Sequence, residues 1–251
     1  MILDEILRKT EKRVAQLPSL FPEAADRKHV SLADAIRHRK GNNAIIAEIK
    51  CASPSRGVIR RNVDMAMMAG VLNEGGCVAL SVLTEPFFFG GSGQDIVRVK
   101  SAVGLPVLRK DFIIDERQIA ESGALGADAV LLIAAVLGTK LHSFVDAVFD
   151  QGLEPLVEVR TGNEAELALS TEATLIGINN RDLTTLGIDR STTRILSEQI
   201  RGNGRLIVSE SGMRSADDIR EMRSFCDAFL IGSSIMAHDH PGRKLEEFVC
   251  A

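Results

Sequence analysis

The chain has 251 residues, 45% of them hydrophobic, and a formal net charge of −4 at pH 7. That length suits one α/β barrel or two smaller domains, and so mildly acidic a chain lacks the basic field of a general nucleic-acid binder. No apolar run reaches the roughly 18 residues of a membrane span. The 4 cysteines form no Cys-x-x-Cys pair, so they fit neither a zinc site nor a disulfide framework and point to a reducing cytoplasm.

Two helices are expected first, Leu3–Leu17 and Ser31–Arg39, with Ser31 as an N-cap. The amphipathic N-terminus lacks the basic-then-apolar order of a secretory signal. Residues 1–40 thus read as a helical extension packed on the bottom or side of the body formed by 41–251. Eight short apolar runs follow: Ala44–Ile49, Cys77–Leu83, Pro106–Leu108, Ala129–Ile133, Pro155–Val159, Leu175–Ile178, Arg205–Val208 and Ala228–Ile231. They recur at roughly 20 to 33 residues, about one βα unit each. Near-continuous apolar runs suit parallel strands buried on both faces. The intervening segments carry helical spacing, as in Ile119, Ser122 and Leu125, or Leu141, Val145 and Val148. Eight such repeats predict a single (β/α)8 TIM barrel with extra N-terminal helices. A doubly wound open sheet is the alternative, but no Gly-x-Gly-x-x-Gly follows the first strand.

Chemistry on such a barrel lies at the C-terminal strand ends. The first strand ends with Glu48 and Lys50, two apart and so on one face. Core burial alone does not favour two charges there, although structural ion pairs occur. The second strand leads into Phe87, Phe88 and Phe89, either a misplaced core patch or a wall for an apolar ring. The third ends with Lys110 and Asp111, and the fifth carries Glu158. The sixth ends with Asn179 and Arg181, the seventh with Glu210, Ser211 and Gly212, and the eighth with Gly232, Ser233 and Ser234. Glycines 212 and 232 would let backbone N–H groups approach a ligand, and the loops after strands seven and eight form the recurrent phosphate site of this architecture. Two ordinary Gly/Ser turns are the plainer reading of each loop alone.

Three carboxylates and two lysines in one barrel mouth need a task, and general acid–base work supplies one. The five histidines fall away from most strand ends, and they read as solvated. The residues therefore point to proton transfer on a phosphorylated small molecule, without metal or redox cofactor.

The motifs Glu-Ile-Lys-x-x-Ser-Pro-Ser-x-Gly (48–57), Leu-Thr-Glu (83–85), Phe-x-Gly-Ser (89–92), Lys-Asp-Phe-Ile (110–113), Gly-Ile-Asn-x-Arg-Asp-Leu (177–183), Glu-Ser-Gly (210–212) and Ile-Gly-Ser-Ser (231–234) closely resemble the indole-3-glycerol phosphate synthase family of tryptophan biosynthesis. The likeness runs over essentially the whole chain. It implies ring closure, decarboxylation and dehydration of 1-(2-carboxyphenylamino)-1-deoxyribulose 5-phosphate without a cofactor. It also implies roles: Lys110 as the acid at the ketone, Glu158 as the final base, and Lys50 assisting departure of the hydroxyl. Glu48, Asn179 and Glu210 would position hydroxyls and lysines. Arg181 would meet the substrate carboxylate, and Ser53, Ser211, Gly212, Gly232 and Ser233 the phosphate, while Phe89 would cover the ring. Relatives often carry charge where Pro86, Phe87 and Phe88 stand. Some relatives are fused to other enzymes of the pathway, which are thus potential partners; 251 residues leave no room here for a second barrel. Two alternatives remain: a phosphoribosylanthranilate isomerase using Cys51 as base, and a barrel that only binds a phosphorylated ligand.

Overall fold

The computed structural model describes residues 2–21, 29–39 and 42–251. The expected boundary between 40 and 41 lies outside the described residues. Eight parallel strands close a barrel: β1 (Ala44–Ile49), β2 (Ala79–Leu83), β3 (Val107–Lys110), β4 (Ala129–Ile133), β5 (Glu154–Val159), β6 (Leu175–Asn179), β7 (Leu206–Glu210) and β8 (Ala228–Ile231). Each pairs with its sequence neighbour, and β8 closes onto β1. Between them lie helices, five of which begin on side-chain caps. Asp64, Ser92, Asp115, Thr161 and Ser215 each accept an N–H from the first turn that follows.

The register fixes which residues point inward. Ile46 pairs with Ala79 and Leu230, Glu48 with Ser81, Leu83 with Lys110, Glu158 with Gly177, and Asn179 with Glu210. Side chains alternate along a strand, so the inward set on β1 is Ala44, Ile46 and Glu48. The inner core contains Ala44, Ala79, Ala129 and Ala228 at the strand starts and Leu108, Leu131, Leu156, Val208 and Leu230 above them. The opposite parity, with Ile45, Ala47, Ile49, Leu80 and Val82, packs under the outer helices.

The two N-terminal helices sit at opposite ends of the barrel. α2 (Leu32–Arg37) closes the bottom. Its Leu32 and Ile36 are fully buried in the inner core beside those four alanines, whose small side chains leave the space. Ser31 caps it as expected, and Glu154 at the start of β5 accepts from Ser31 Oγ (2.6 Å) and from the N–H groups of Leu32 (2.6 Å) and Ala33 (3.0 Å). α1 (Ile2–Val14) instead reaches the top, where Ile2, Leu3 and Ile6 wall a cavity with Ser53, Phe89 and Phe112. It stops short of Leu17, because its last turn tightens and the residue before Pro18 is pushed away from helical geometry.

α1 is tied to the end of β3. Both carboxylate oxygens of Asp111 accept from Arg13 Nη2 (2.8 and 2.9 Å), and Asp111 also accepts from Thr84 Oγ1 (2.6 Å) and Arg109 Nη2 (3.2 Å). Arg109 is 1% exposed and donates to Glu121 at 2.7 Å and to Ser122 at 3.0 Å. Burial alone would raise the Asp111 pKa, but Arg109 and Arg13 outweigh it and hold the carboxyl below its ordinary value. Asp111→Ala removes one partner of a buried charge network, and such losses cost about 3–5 kcal/mol. Urea unfolding near neutral pH should read that loss. A change under about 1 kcal/mol would mean that the network is surface-like in energy.

Candidate active site

The inward parity carries nearly every charged group expected at the strand ends. Glu48, Glu158, Asn179 and Glu210 are buried there at 1–7% exposure. Lys110 is the last residue of β3. Its Nζ lies 2.9 Å from Glu210 Oε2 and 3.1 Å from Glu158 Oε2. Lys50 forms its own ion pair with Glu48. Two lysine–carboxylate groupings thus stand in one mouth, and neither would be stable there without the other sign of charge.

Burial works to lower the Lys110 pKa, but Glu158, Glu210 and Glu48 together hold it above its ordinary value, so its ammonium stays charged. Burial pushes the Glu210 carboxyl up to about 7; Lys110 opposes this, while Glu158 adds to it. Its Oε1 has no hydrogen-bond partner among the described residues. Because that pKa is raised from 4.5 to about 7, the contribution of Glu210 to stability is complete below the ordinary value and is lost as pH rises through about 7. Glu210→Gln removes this titration. Urea unfolding at about pH 5 and about pH 8 should show wild type losing ground to the variant as pH rises. A difference that stays flat, or moves towards wild type, would contradict that sign.

Two inward glycines have a packing reason. A Cβ at Gly177 would overlap the Glu210 carboxylate, and one at Gly232 would overlap Glu48. Gly232 therefore makes space for a buried acid as well as opening its loop. At the end of β7, Ser211 (φ 66°) and Gly212 (φ 95°) are both left-handed, a conformation that costs a serine roughly 1–2 kcal/mol and that clusters at functional sites. The loops after β7 and β8 are joined, with Ser234 Oγ donating to Met213 O at 2.8 Å. Asn179 Oδ1 accepts from the Arg181 N–H at 2.9 Å, which turns the chain after β6.

One cavity at the C-terminal face is lined by Glu48, Lys50, Phe89, Lys110, Glu158, Asn179, Arg181, Glu210, Ser211, Gly212, Gly232 and Ser233. Ser53 lies in the adjoining cavity under α1, with Lys50, Phe89, Arg181 and Ser233, and its buried Oγ has no partner among the described residues. The structure therefore brings all thirteen expected site residues to one end of the barrel. The phenylalanine run divides. Phe89 faces the cavity with its ring 6.3 Å from that of Phe112, while Phe87 is 56% exposed. The Glu85 carboxylate accepts from the N–H groups of Phe87, Phe88 and Phe89 at 2.7–3.1 Å. Lys9 of α1 lies over the rings of Phe87 and Phe88 at 5.2 and 4.7 Å. This loop is thus clamped to the N-terminal helix.

Sequence reasoning missed Arg56 and Arg214, which also line the cavity. Arg56 stands at one of the variable positions of the 48–57 motif, and Arg214 lies two residues past the Gly212 turn. Cys51 does not line this cavity; it lies in a groove with Val63, Met65 and Asp95. Burial, with help from Asp95, raises its thiol pKa, the opposite of what a thiolate base needs.

A family model described as indole-3-glycerol phosphate synthase matches residues 3–248. The indole-3-glycerol phosphate synthase of Caldanaerobacter subterraneus subsp. tengcongensis is 45% identical over 253 residues, covering 99% of this chain and 98% of the relative. That of Burkholderia lata is 42% identical over 254 residues, covering 97% of each. Two solved structures share the fold. KGPDC from Streptococcus mutans has a TM-score of 0.61 at 15% identity, over 82% of this chain and 95% of that one. The tryptophan synthase alpha chain from Legionella pneumophila has a TM-score of 0.64 at 11% identity, over 86% and 94%. Identities that low speak to the barrel alone, whereas the family match and the near-full-length relatives speak to descent: this chain belongs to the indole-3-glycerol phosphate synthase family.

Proposed function

We infer that the chain converts 1-(2-carboxyphenylamino)-1-deoxyribulose 5-phosphate into indole-3-glycerol phosphate, carbon dioxide and water, a carboxy-lyase step of tryptophan biosynthesis. The observation that carries this reading is Lys110, held charged between Glu158 and Glu210 on the inward face of the mouth, in a chain matched to this family from residue 3 to 248.

The chemistry needs an acid first. The ring carbon bearing the carboxylate attacks the ketone, and the Lys110 ammonium gives its proton to the ketone oxygen. Loss of the carboxylate as carbon dioxide then restores the aromatic ring. The hydroxyl leaves as water with help from Lys50, and Glu158 takes the proton whose loss completes the indole. Glu48 and Glu210 hold the two lysines through the ion pairs described above, and Asn179 orients a substrate hydroxyl. Arg181 takes the carboxylate and Phe89 covers the ring. Ser53, Ser211, Gly212, Gly232 and Ser233 take the phosphate with Lys50, a reading supported by the joined loops and the unpartnered Ser53 hydroxyl.

The same reading gives the chain a small phosphorylated substrate, without nucleic-acid or membrane partners, in the cytoplasm alongside other enzymes of the pathway. Turnover of the carboxyphenylamino-deoxyribulose phosphate tests it, followed by indole absorbance and run without added cofactor. Absence of indole product from a folded chain would overturn the assignment.

A further inference from the structure

Three arginines face the cavity from three different strand-end loops. Arg56 follows β1, Arg181 follows β6 and Arg214 follows β7. Several other arginines are neutralised by a carboxylate: Arg13 and Arg109 by Asp111, Arg98 by Asp95, Arg160 by Asp182, and Arg190 by Asp218. The three at the cavity have no ion pair among the described residues. The one side-chain hydrogen bond of Arg181 there goes to the Leu186 carbonyl, at 3.0 Å. Arg181 also feels the charge of the other two. Burial, then Arg56 and Arg214, lower the Arg181 pKa against the pull of Glu48. Like charges that lack a directly paired carboxylate repel until an anion enters between them.

The reaction changes the charge of what occupies this mouth. The substrate carries a phosphate and a carboxylate, and carbon dioxide takes the carboxylate away. The phosphate remains, and the glycine loops at 212 and 232 offer backbone donors for it. What disappears on turnover is the anion that Arg181 is placed to meet.

We propose that Arg56 and Arg214 are specificity-determining residues that act with Arg181 as a charge selector, favouring the carboxylated substrate over its decarboxylated product. This deepens the functional reading above and rests on it. Before reaction, the carboxylate relieves the repulsion that Arg56 and Arg214 exert on Arg181. After carbon dioxide departs, the repulsion returns, and the product is held less tightly than the substrate. Arg56 and Arg214 are exposed at the rim of the mouth, so salt screens the interaction.

A matched pair of ligands isolates the effect. One is the substrate with its ketone reduced to an alcohol, which cannot cyclise. The other is the same molecule without the carboxylate. Calorimetric titration of the full chain at low ionic strength gives the preference for the carboxylated ligand. Arg56→Gln and Arg214→Gln should each cut that preference about threefold to fivefold, the range of an exposed charge pair. The double variant should lose it further, and affinity for the ligand without carboxylate should change less than about twofold. In wild type the preference should shrink at about 0.5 M salt. Equal loss of both ligands would assign the two arginines to the phosphate, and unchanged binding would assign them no part; either result overturns the selector. Wild type that binds neither ligand and makes no indole would instead sink the functional reading. Wild-type turnover with variants that keep the full preference would sink the selector alone.

Discussion

Lys110→Met should lose at least about three decades of turnover, since a positioned acid contributes roughly 10²–10⁴-fold and nothing downstream can start without ring closure. The structure sharpens this expectation. Lys110 is the one cation within hydrogen-bond reach of both Glu158 and Glu210 among the described residues. Lys50 is engaged separately with Glu48. Methionine keeps the apolar stem and removes the ammonium, so the barrel should persist, with Glu210 driven further towards its protonated form by the loss of its partner. Steady-state kinetics with indole detection gives the turnover, and inhibition by the product gives the binding. Product affinity should move only a few-fold, because the phosphate contacts assigned to the loops after β7 and β8 remain. A variant that keeps more than a tenth of wild-type turnover would transfer the acid role to Lys50.

Glu158→Gln should separate two steps that wild type couples. If Glu158 takes the final proton, the variant closes the ring and releases carbon dioxide, then stalls before the indole forms. In a single turnover, carbon dioxide should exceed indole, whereas Lys110→Met should suppress both equally. The ion pair between Lys110 and Glu158 at 3.1 Å makes the competing idea concrete. On that view Glu158 only steers the lysine, and its loss should suppress both signals in parallel. The structure favours separation, because Lys110 is also held by Glu210, at 2.9 Å, a partner that the exchange leaves in place. The contrast depends on release of a gas making closure effectively irreversible. Rapid-quench measurement of both products decides it, and parallel loss with no excess carbon dioxide would return Glu158 to a steering role.

The architecture and the ring of strand-end residues were readable from the order of the residues. Their repeat is local: a near-continuous apolar run, a turn, then helical spacing, eight times over. Once closure into a barrel is granted, Glu48, Lys110, Glu158, Asn179 and Glu210 must share the interior, because each lies an even number of residues from an inner-core neighbour on its own strand. Strand parity therefore carried most of the site.

Relations between distant segments were not readable in this way. Both N-terminal helices bury one side, yet one plugs the bottom and the other roofs the top. That choice is made by Ala44, Ala79, Ala129 and Ala228 leaving space below, and by Asp111 offering a buried charge to Arg13 above. Gly232 reads as a phosphate-loop glycine, but its lack of a side chain is also required by Glu48, far away in sequence. Arg56 and Arg214 look like two surface cations on unrelated loops, and only closure of the barrel brings them to Arg181. Local periodicity sets which way a side chain points, because backbone sterics act between neighbours. Which charge or void it then meets is set by contacts across the barrel, where no short-range pattern exists to read.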